Sequence, residues 1–371
     1  MNPELSSFAA RLRGTISKPK IVGEPDFNSL ALELFALQFQ NNSAYRKICE
    51  ARKLTPPAVG HWTQIPHVPT SLFKELELSS IAPAARAAIF YSSGTTKQKP
   101  SRHFHCAESL ALYETSLWKW FEKKCGTRVS DCELICLTPP PALAPDSSLV
   151  HMFETIRQKF NAPKNVFTGK ISADGSWELD FEAMIQGSGA SVDRRNSPME
   201  KEAVLCRDAA TSKLILGTAF SFVHLIDFLA EKNILLQLPP GSRVMETGGY
   251  KNRSRTIPKA ELHSLLEKFL GVPRENIICE YGMSELSSQA YAKSSGAFEF
   301  SPWARAQIIS PETGREVADG ETGLIRIFDL ANVFSVAAIQ TEDLGVRRDD
   351  GFELIGRAQL AEPRGCSLMT A

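Results

Sequence analysis

The sequence carries no excess charge of either sign: its 371 residues hold 42 Lys and Arg against 42 Asp and Glu, a net charge of zero at pH 7 with His neutral. The whole-molecule basic field expected of a nucleic-acid binder is therefore missing, which argues against a polyanion as partner. Long apolar runs are missing as well. Met1 to Lys20 alternates polar and apolar residues, so neither a secretory signal nor a membrane span is expected there or later, and the chain reads as cytoplasmic. The eight Cys, at positions 49, 106, 125, 132, 136, 206, 279 and 366, follow no repeated spacing and no paired zinc pattern. Scattered reduced thiols fit that distribution, seven of them as structural residues. There is no long internal repeat and no low-complexity tract.

What the sequence does have is alternation of short apolar runs with helix-like segments. Cys132 to Leu137, Lys213 to Leu216, Arg243 to Met245 and Asn276 to Glu280 read as buried strands. Between them, Glu108 to Lys123 sets Leu112, Leu117, Trp120 and Phe121 on one apolar face. Phe220 to Glu231 does the same with Val223, Ile226, Phe228 and Leu229, and Pro258 to Leu270 is a third such helix. The pattern predicts an α/β fold with a mostly parallel, doubly wound sheet, whose ligands sit at the carboxyl ends of strands. Residues 1–80, with an amphipathic stretch from Leu30 to Gln40 and then Pro56, Pro57, Pro66 and Pro69, read as a helical cap. Residues 81–300 are the expected α/β core. Residues 301–371, with turns at Asp319-Gly320 and Asp349-Asp350-Gly351, read as a small antiparallel β region.

Several clusters carry chemistry. The run Tyr91-Ser92-Ser93-Gly94-Thr95-Thr96 packs hydroxyls and a glycine into a turn after the apolar stretch Ala84 to Phe90, with Lys97 and Lys99 following. Backbone N–H groups, hydroxyls and cations together suit a triphosphate, although a solvated turn has the same composition. Glu280-Tyr281-Gly282-Met283-Ser284-Glu285 follows a strand and turns at Gly282. Glu285 there can hold Mg²⁺ and Tyr281 can stack on a base; a glycine turn with a solvated glutamate is the bland alternative. Asp343 can accept both ribose hydroxyls and Arg357 supplies a cation for the nucleotide. His103-Phe104-His105-Cys106 offers metal ligands, but no second pair stands at zinc-like spacing. His151 and His224 read as polar packing residues, and Phe220 and Phe222 as core or as the lining of an acyl tunnel.

In order and spacing these motifs resemble the adenylate-forming superfamily of acyl-CoA ligases, luciferases and peptide-synthetase adenylation domains. Within it they are most similar to the acyl-protein synthetases of bacterial fatty-acid reductase complexes, known from bioluminescence systems. Ser92 to Arg102, Thr247-Gly248-Gly249-Tyr250-Lys251 and Gly323 to Gly345, with Asp329-Leu330-Ala331-Asn332, carry the likeness, which spans roughly Phe27 to the end. The resemblance implies ATP and Mg²⁺ as cofactors. It places Ser92, Ser93, Gly94, Thr95, Thr96, Lys97, Gly249, Tyr281, Gly282, Ser284, Asp343 and Arg357 on ATP or AMP, with Glu285 on the metal. The Pro139-Pro140-Pro141 turn followed by Asp146-Ser147-Ser148 resembles the loop bordering the acyl pocket.

Two departures stand out. Lys97 replaces a usual glycine, and the sequence stops at Ala371, where longer relatives continue into a mobile lid that supplies a lysine. The lid is expected to be absent, with Lys97, Lys99, Lys251 and Arg253 as unranked substitutes. Arg364-Gly365-Cys366 falls where those relatives have a swinging Arg-Gly loop. Acyl-protein synthetases carry the acyl group on a cysteine near the C-terminus, so the resemblance makes Cys366 the acceptor, Arg364 its activating cation and Glu285 the third catalytic residue. The implied reaction is acyl-AMP formation from a fatty acid followed by a thioester on Cys366. The implied partners are an acyl-CoA-reductase-like subunit and an acyl-transferase, in homo- or hetero-oligomers. The sequence leaves open an acyl- or aryl-CoA or carrier-protein ligase, and a decayed nucleotide-binding subunit.

Overall fold

The computed structural model describes residues 2–18, 23–92, 99–126, 132–160, 166–173, 175–188, 191–194, 211–248, 257–293 and 296–357. Along the chain the helices are α1 (Pro3–Ser17), α2 (Glu24–Asn41), α3 (Ser43–Ala51), α4 (Leu72–Glu75), α5 (Ala107–Cys125), α6 (Ser148–Phe160), α7 (Phe181–Ser188), α8 (Ala219–Glu231) and α9 (Lys259–Leu270). The first strands are β1 (Val68–Pro69), β2 (Ala88–Tyr91), β3 (Arg102–His105), β4 (Glu133–Cys136) and β5 (Val166–Phe167). They are followed by β6 (Gly169–Ile171), β7 (Trp177–Leu179), β8 (Ser191–Arg194), β9 (Lys213–Thr218), β10 (Ile234–Gln237), β11 (Arg243–Thr247) and β12 (Ile277–Tyr281). The last are β13 (Ala290–Lys293), β14 (Glu299–Phe300), β15 (Ala304–Ile309), β16 (Thr322–Asp329), β17 (Ala338–Arg348) and β18 (Gly351–Arg357).

The central sheet runs β14-β13-β12-β11-β9-β4-β5. Its pairs from β12 through β5 are parallel, and β13 and β14 close one edge antiparallel. Burial on both faces explains why consecutive apolar residues fill the middle of β4, β9, β11 and β12. Leu134 and Cys136 join a core that includes Leu117 and Phe121 of α5 and Phe153 of α6. Their neighbours Ile135 and Leu137 join a second core with Phe222 and Ile226 of α8 and Leu266 of α9. Leu214 and Leu216 divide from Ile215 in the same way. Strand side chains alternate between faces, so a fully apolar strand needs helices on both sides, and the doubly wound expectation holds. Two small antiparallel pairs, β6 with β7 and β8 with β10, flank it. Gly169 opens β6 against the backbone of Thr138, where an added Cβ would lie 2.2 Å from the carbonyl carbon, so only glycine permits that approach.

The second sheet, β15-β16-β17-β18, is the antiparallel region expected from residue 302 onward. Unforeseen was β1, which pairs parallel with β17 through Val68↔Ile339 and Pro69↔Gln340. The N-terminal segment thus adds a strand to the C-terminal sheet as well as packing helices on it. No helix among the described residues is long and apolar enough to cross a membrane.

Helix α2 reaches the second sheet with one polar side chain. Gln38, 1% exposed, donates from Nε2 to the carbonyls of Asn332 (2.8 Å) and Val333 (3.1 Å) and accepts the N–H of Ala337 (3.1 Å). It serves as a backbone surrogate for the loop between β16 and β17, whose polar groups have no water to turn to. Gln38→Leu keeps the volume but removes the partner of the Ala337 N–H and of the Val333 carbonyl and leaves the Asn332 carbonyl only the long bond from the Ser335 N–H (3.4 Å). The expected loss is about 2–5 kcal/mol by chemical denaturation; a change under about 0.5 kcal/mol, the size of an ordinary surface substitution, would contradict this role.

Candidate functional site

The site is built where the β2–β3 hairpin meets the loop after β12. In the hairpin, Tyr91 pairs with Arg102. Beyond them the Ser92 N–H donates to the Ser101 carbonyl (3.2 Å), and the Ser101 N–H donates to Ser92 Oγ (2.9 Å). Ser92 and Ser101 therefore close the base of the hydroxyl-rich loop. Ser93, Gly94, Thr95, Thr96 and Lys97 lie outside the described residues, as do Gly249, Lys251, Arg253, Arg364 and Cys366.

Ser101 also makes the contact that joins the two segments. Its hydroxyl donates to Glu285 Oε1 at 2.5 Å, across 184 positions of sequence. The Ser284 hydroxyl donates to Oε2 at 3.1 Å. Glu285 is only 6% exposed, and its carboxylate is met by neutral hydroxyls, an arrangement of hard oxygens that suits Mg²⁺ better than a softer ion. His103 holds the same loop from the hairpin: Nδ1 lies 2.7 Å from the Ser284 carbonyl. A carbonyl only accepts, so Nδ1 carries the proton.

Beneath the loop sits Asp329, completely buried at the end of β16. It accepts the Ser287 N–H (2.8 Å), the Ser288 hydroxyl (2.7 Å) and the Ala331 N–H (3.0 Å). Burial pushes its carboxyl up to about 6 against the pull of those donors. Asn332 adds a bond from Nδ2 to the Glu285 carbonyl (2.8 Å) and accepts the Ser287 hydroxyl (2.9 Å). The Asp329-to-Asn332 stretch is thus the platform on which Glu285 stands. In the sequence the stretch carries the family likeness but no chemical signature of its own.

Glu280 and Tyr281 face different surroundings. Glu280 is buried and accepts a hydrogen bond from the Thr247 hydroxyl. Burial raises its carboxyl to about 7, the Thr247 bond lowering it and the nearby Glu246 charge raising it. An added Cβ on Gly282 would lie 2.4 Å from Glu280 Oε1, so the glycine lets the chain turn over that carboxyl. Tyr281 is 6% exposed. Its ring lies edge-on to Phe352 (centroids 5.3 Å) and to Phe300 (6.3 Å), and its hydroxyl donates to Asp343 Oδ2 at 2.8 Å. Asp343 and Arg357 are register partners on β17 and β18, with Nε 3.6 Å from Oδ1, and the Arg357 side chain is 80% exposed. Burial raises the Asp343 carboxyl, opposed by the Tyr281 bond and the Arg357 charge. The structure thus brings Ser92, Ser284, Glu285, Tyr281, Gly282, Asp343 and Arg357 onto adjoining segments.

The histidines divide. His103 and His105 lie side by side, ring centroids 4.4 Å apart, both buried on one face of β3. His151 on α6 packs 5.2 Å from the Phe90 ring and meets Glu114 at 3.1 Å. His224, expected to pack, is instead exposed on α8 with its ring 4.4 Å from that of Phe220. Phe222 is wholly buried in the α8 core.

The family described as acyl-protein synthetase, LuxE, matches residues 188–371. A long-chain-fatty-acid–luciferin-component ligase of Aliivibrio fischeri is 23% identical over 365 residues, covering 93% of this chain and 87% of the relative. Its counterpart in Vibrio harveyi is 23% identical over 349 residues, covering 90% and 84%. Among solved structures, a 2-hydroxyisobutyryl-CoA ligase in an open conformation with 2-HIB-AMP and CoA superimposes with a TM-score of 0.64 at 12% identity, covering 90% of this chain and 74% of that one. The same ligase in its postadenylation state gives 0.65 at 13% identity, covering 90% and 67%. The fold is that of adenylate-forming enzymes.

Burial lowers His103 from an ordinary imidazole to about 4. Below pH 6.5 the unfolded chain takes up a proton that the native site refuses, so stability present above pH 6.5 is lost as pH falls towards 4. His103→Gln is expected to make stability versus pH shallower between pH 6 and 4.5 by about one proton, ~1.4 kcal/mol per pH unit. An unchanged slope in urea titrations would show that His103 does not enter the native state neutral.

Proposed function

We propose that the chain, whose residues 188–371 match the acyl-protein synthetase family, LuxE, is a ligase of that kind that activates a long-chain fatty acid with ATP and takes the acyl group onto its own Cys366. The observation that carries the reading is the Ser101–Glu285 bond. It sets an acidic oxygen pair suited to a phosphate-bound cation against the base of the loop suited to phosphates.

In the first half-reaction a fatty carboxylate oxygen attacks the α-phosphorus of ATP. A P–O bond forms, the bond to pyrophosphate breaks, and acyl-AMP results. The Ser92–Ser101 base orients the triphosphate loop, Asp343 receives the ribose hydroxyls, and Arg357 faces the nucleotide from the neighbouring strand. Glu285, with Ser101 and Ser284 fixing both its oxygens, would hold Mg²⁺, which screens phosphate charge when bound. Tyr281 fixes Asp343 through its hydroxyl, so adenine packing and ribose binding are coupled through one side chain.

In the second half-reaction the Cys366 thiolate attacks the acyl carbonyl, a C–S bond forms, and AMP leaves with the C–O electron pair. The thiol proton passes to solvent, and Arg364 favours the charged sulfur. An acceptor in the same chain replaces a bimolecular encounter with an intramolecular one. The thioester is then available to an acyl-CoA-reductase-like partner, which would reduce the acyl group to the aldehyde with a hydride donor of its own and return Cys366 to the free thiol.

Intact-mass analysis after incubation with ATP, Mg²⁺ and fatty acids of graded length tests the reading. Expected are a hydroxylamine-labile acyl adduct on wild type and none on Cys366→Ala, with fatty-acid-dependent ATP–pyrophosphate exchange retained in the variant. An adduct that survives the substitution, or acyl-CoA formed with no adduct, would overturn it.

A further inference from the structure

On the α9 side of the central sheet, outside the segments assigned above, lies a second group of polar side chains. Glu246 of β11 and Cys279 of β12 are register partners, so both project from the same face of the sheet. His263 of α9 packs over them with Nε2 3.6 Å from Glu246 Oε1 and 3.8 Å from Cys279 Sγ. All three are buried, Cys279 and His263 almost completely. One ligand atom from each lies within 4.8 Å of the others. Apolar side chains surround the group, with Leu262 and Leu266 of α9 and Val244 and Ile277 of the strands in one core, and Lys259 is the charged neighbour of Cys279.

We propose that Glu246, His263 and Cys279 form a binding site for one zinc-like divalent cation. Bonds of about 2.3 Å to sulfur and about 2.0 Å to nitrogen and oxygen in a tetrahedron require an N···S edge of ~3.6 Å and an N···O edge of ~3.3 Å. The observed 3.8 and 3.6 Å exceed these by a few tenths of an ångström, a contraction that rotation of the side chains supplies. The same spacings are long for hydrogen bonds, so the triad is loosely coupled as it stands. Its ligand set, one thiolate, one imidazole and one carboxylate, is that of zinc or cobalt and not of magnesium. Three protein ligands leave a fourth position for water.

Coordination displaces the Cys279 thiol proton to solvent, with no change in oxidation state. Lys259, the first residue of α9, stands beside the Cys279 sulfur with its ammonium 5.0 Å from the centre of the Phe298 ring. Its side chain is exposed, so it can withdraw into water as a cation enters by that route. Glu246 and Cys279 immediately precede Thr247 and Glu280, which carry the turns at Gly248 and Gly282. A cation here would tie α9 to the strand ends beneath the nucleotide site.

Titration of chelator-treated full-length protein with Co²⁺, followed by optical spectroscopy, provides the test. Expected are one Co²⁺ per chain, a thiolate-to-cobalt charge-transfer band, displacement by Zn²⁺, and retention of the band in Cys366→Ala. The band is expected to disappear in Cys279→Ser. Glu246→Gln, which keeps the sulfur and the side-chain volume, should bind at least about tenfold more weakly. Absence of the band in folded wild type, or its loss in Cys366→Ala with retention in Cys279→Ser, would overturn the proposal. Neither result depends on acyl transfer.

Discussion

Asp329 is the constraint on which the arrangement depends. A carboxylate without solvent is costly unless donors surround it, and here the donors are the backbone and hydroxyls of the very loop that carries Glu285. Satisfying the charge and fixing the loop are therefore the same event. Hydrogen bonds to a charged acceptor are each worth about 1.5–3 kcal/mol, enough for three of them to outweigh the freedom of a short irregular segment. Asn332 and Gln38 extend the support outward, from loop to platform and from platform to the N-terminal helices.

From that platform the functional chemistry assembles by contact across sheets. Ser101 brings the hairpin to Glu285, His103 brings it to Ser284, and Tyr281 reaches across to Asp343 of the second sheet. Each bond joins parts of the chain remote in sequence. Packing of Phe298, Phe300 and Phe352 around Tyr281 holds the strand ends together where the nucleotide is proposed to sit. Rigid neighbours and a few polar links are what a carboxyl-activating site requires, because the reaction gains most from positioning and from screening of phosphate charge.

The layers were legible where burial is complete. β4, β9, β11 and β12 bury both faces, so consecutive apolar residues fill their centres (Leu134-Ile135-Cys136, Leu214-Ile215-Leu216, Val244-Met245 and Ile277-Ile278-Cys279), and the helices between them show a 3.6-residue stripe. β1 was not legible: two residues in a proline-punctuated segment acquire their strand geometry only from β17, some 270 positions later. At the site, Glu285 and Asp343 were legible as acids beside glycine turns. Ser101, Asn332 and Thr247 were not, because a serine, asparagine or threonine says nothing of the distant carboxylate or carbonyl it will meet. Asp329 left one usable trace, an acid followed by Leu330 and Ala331 at the end of a buried strand. His103 was weighed as a metal ligand, and its bond to the Ser284 carbonyl needed the fold to become visible.

The central claim, that the Ser101–Glu285 junction and Asp343 frame one adenylate site, is tested most directly by a crystal structure with a non-hydrolysable fatty acyl-sulfamoyl adenosine. The account predicts the ribose hydroxyls on Asp343 and the sulfamoyl group between Glu285 and the Ser92–Ser101 loop base. An analogue bound elsewhere on the molecule, with these residues untouched, would contradict it.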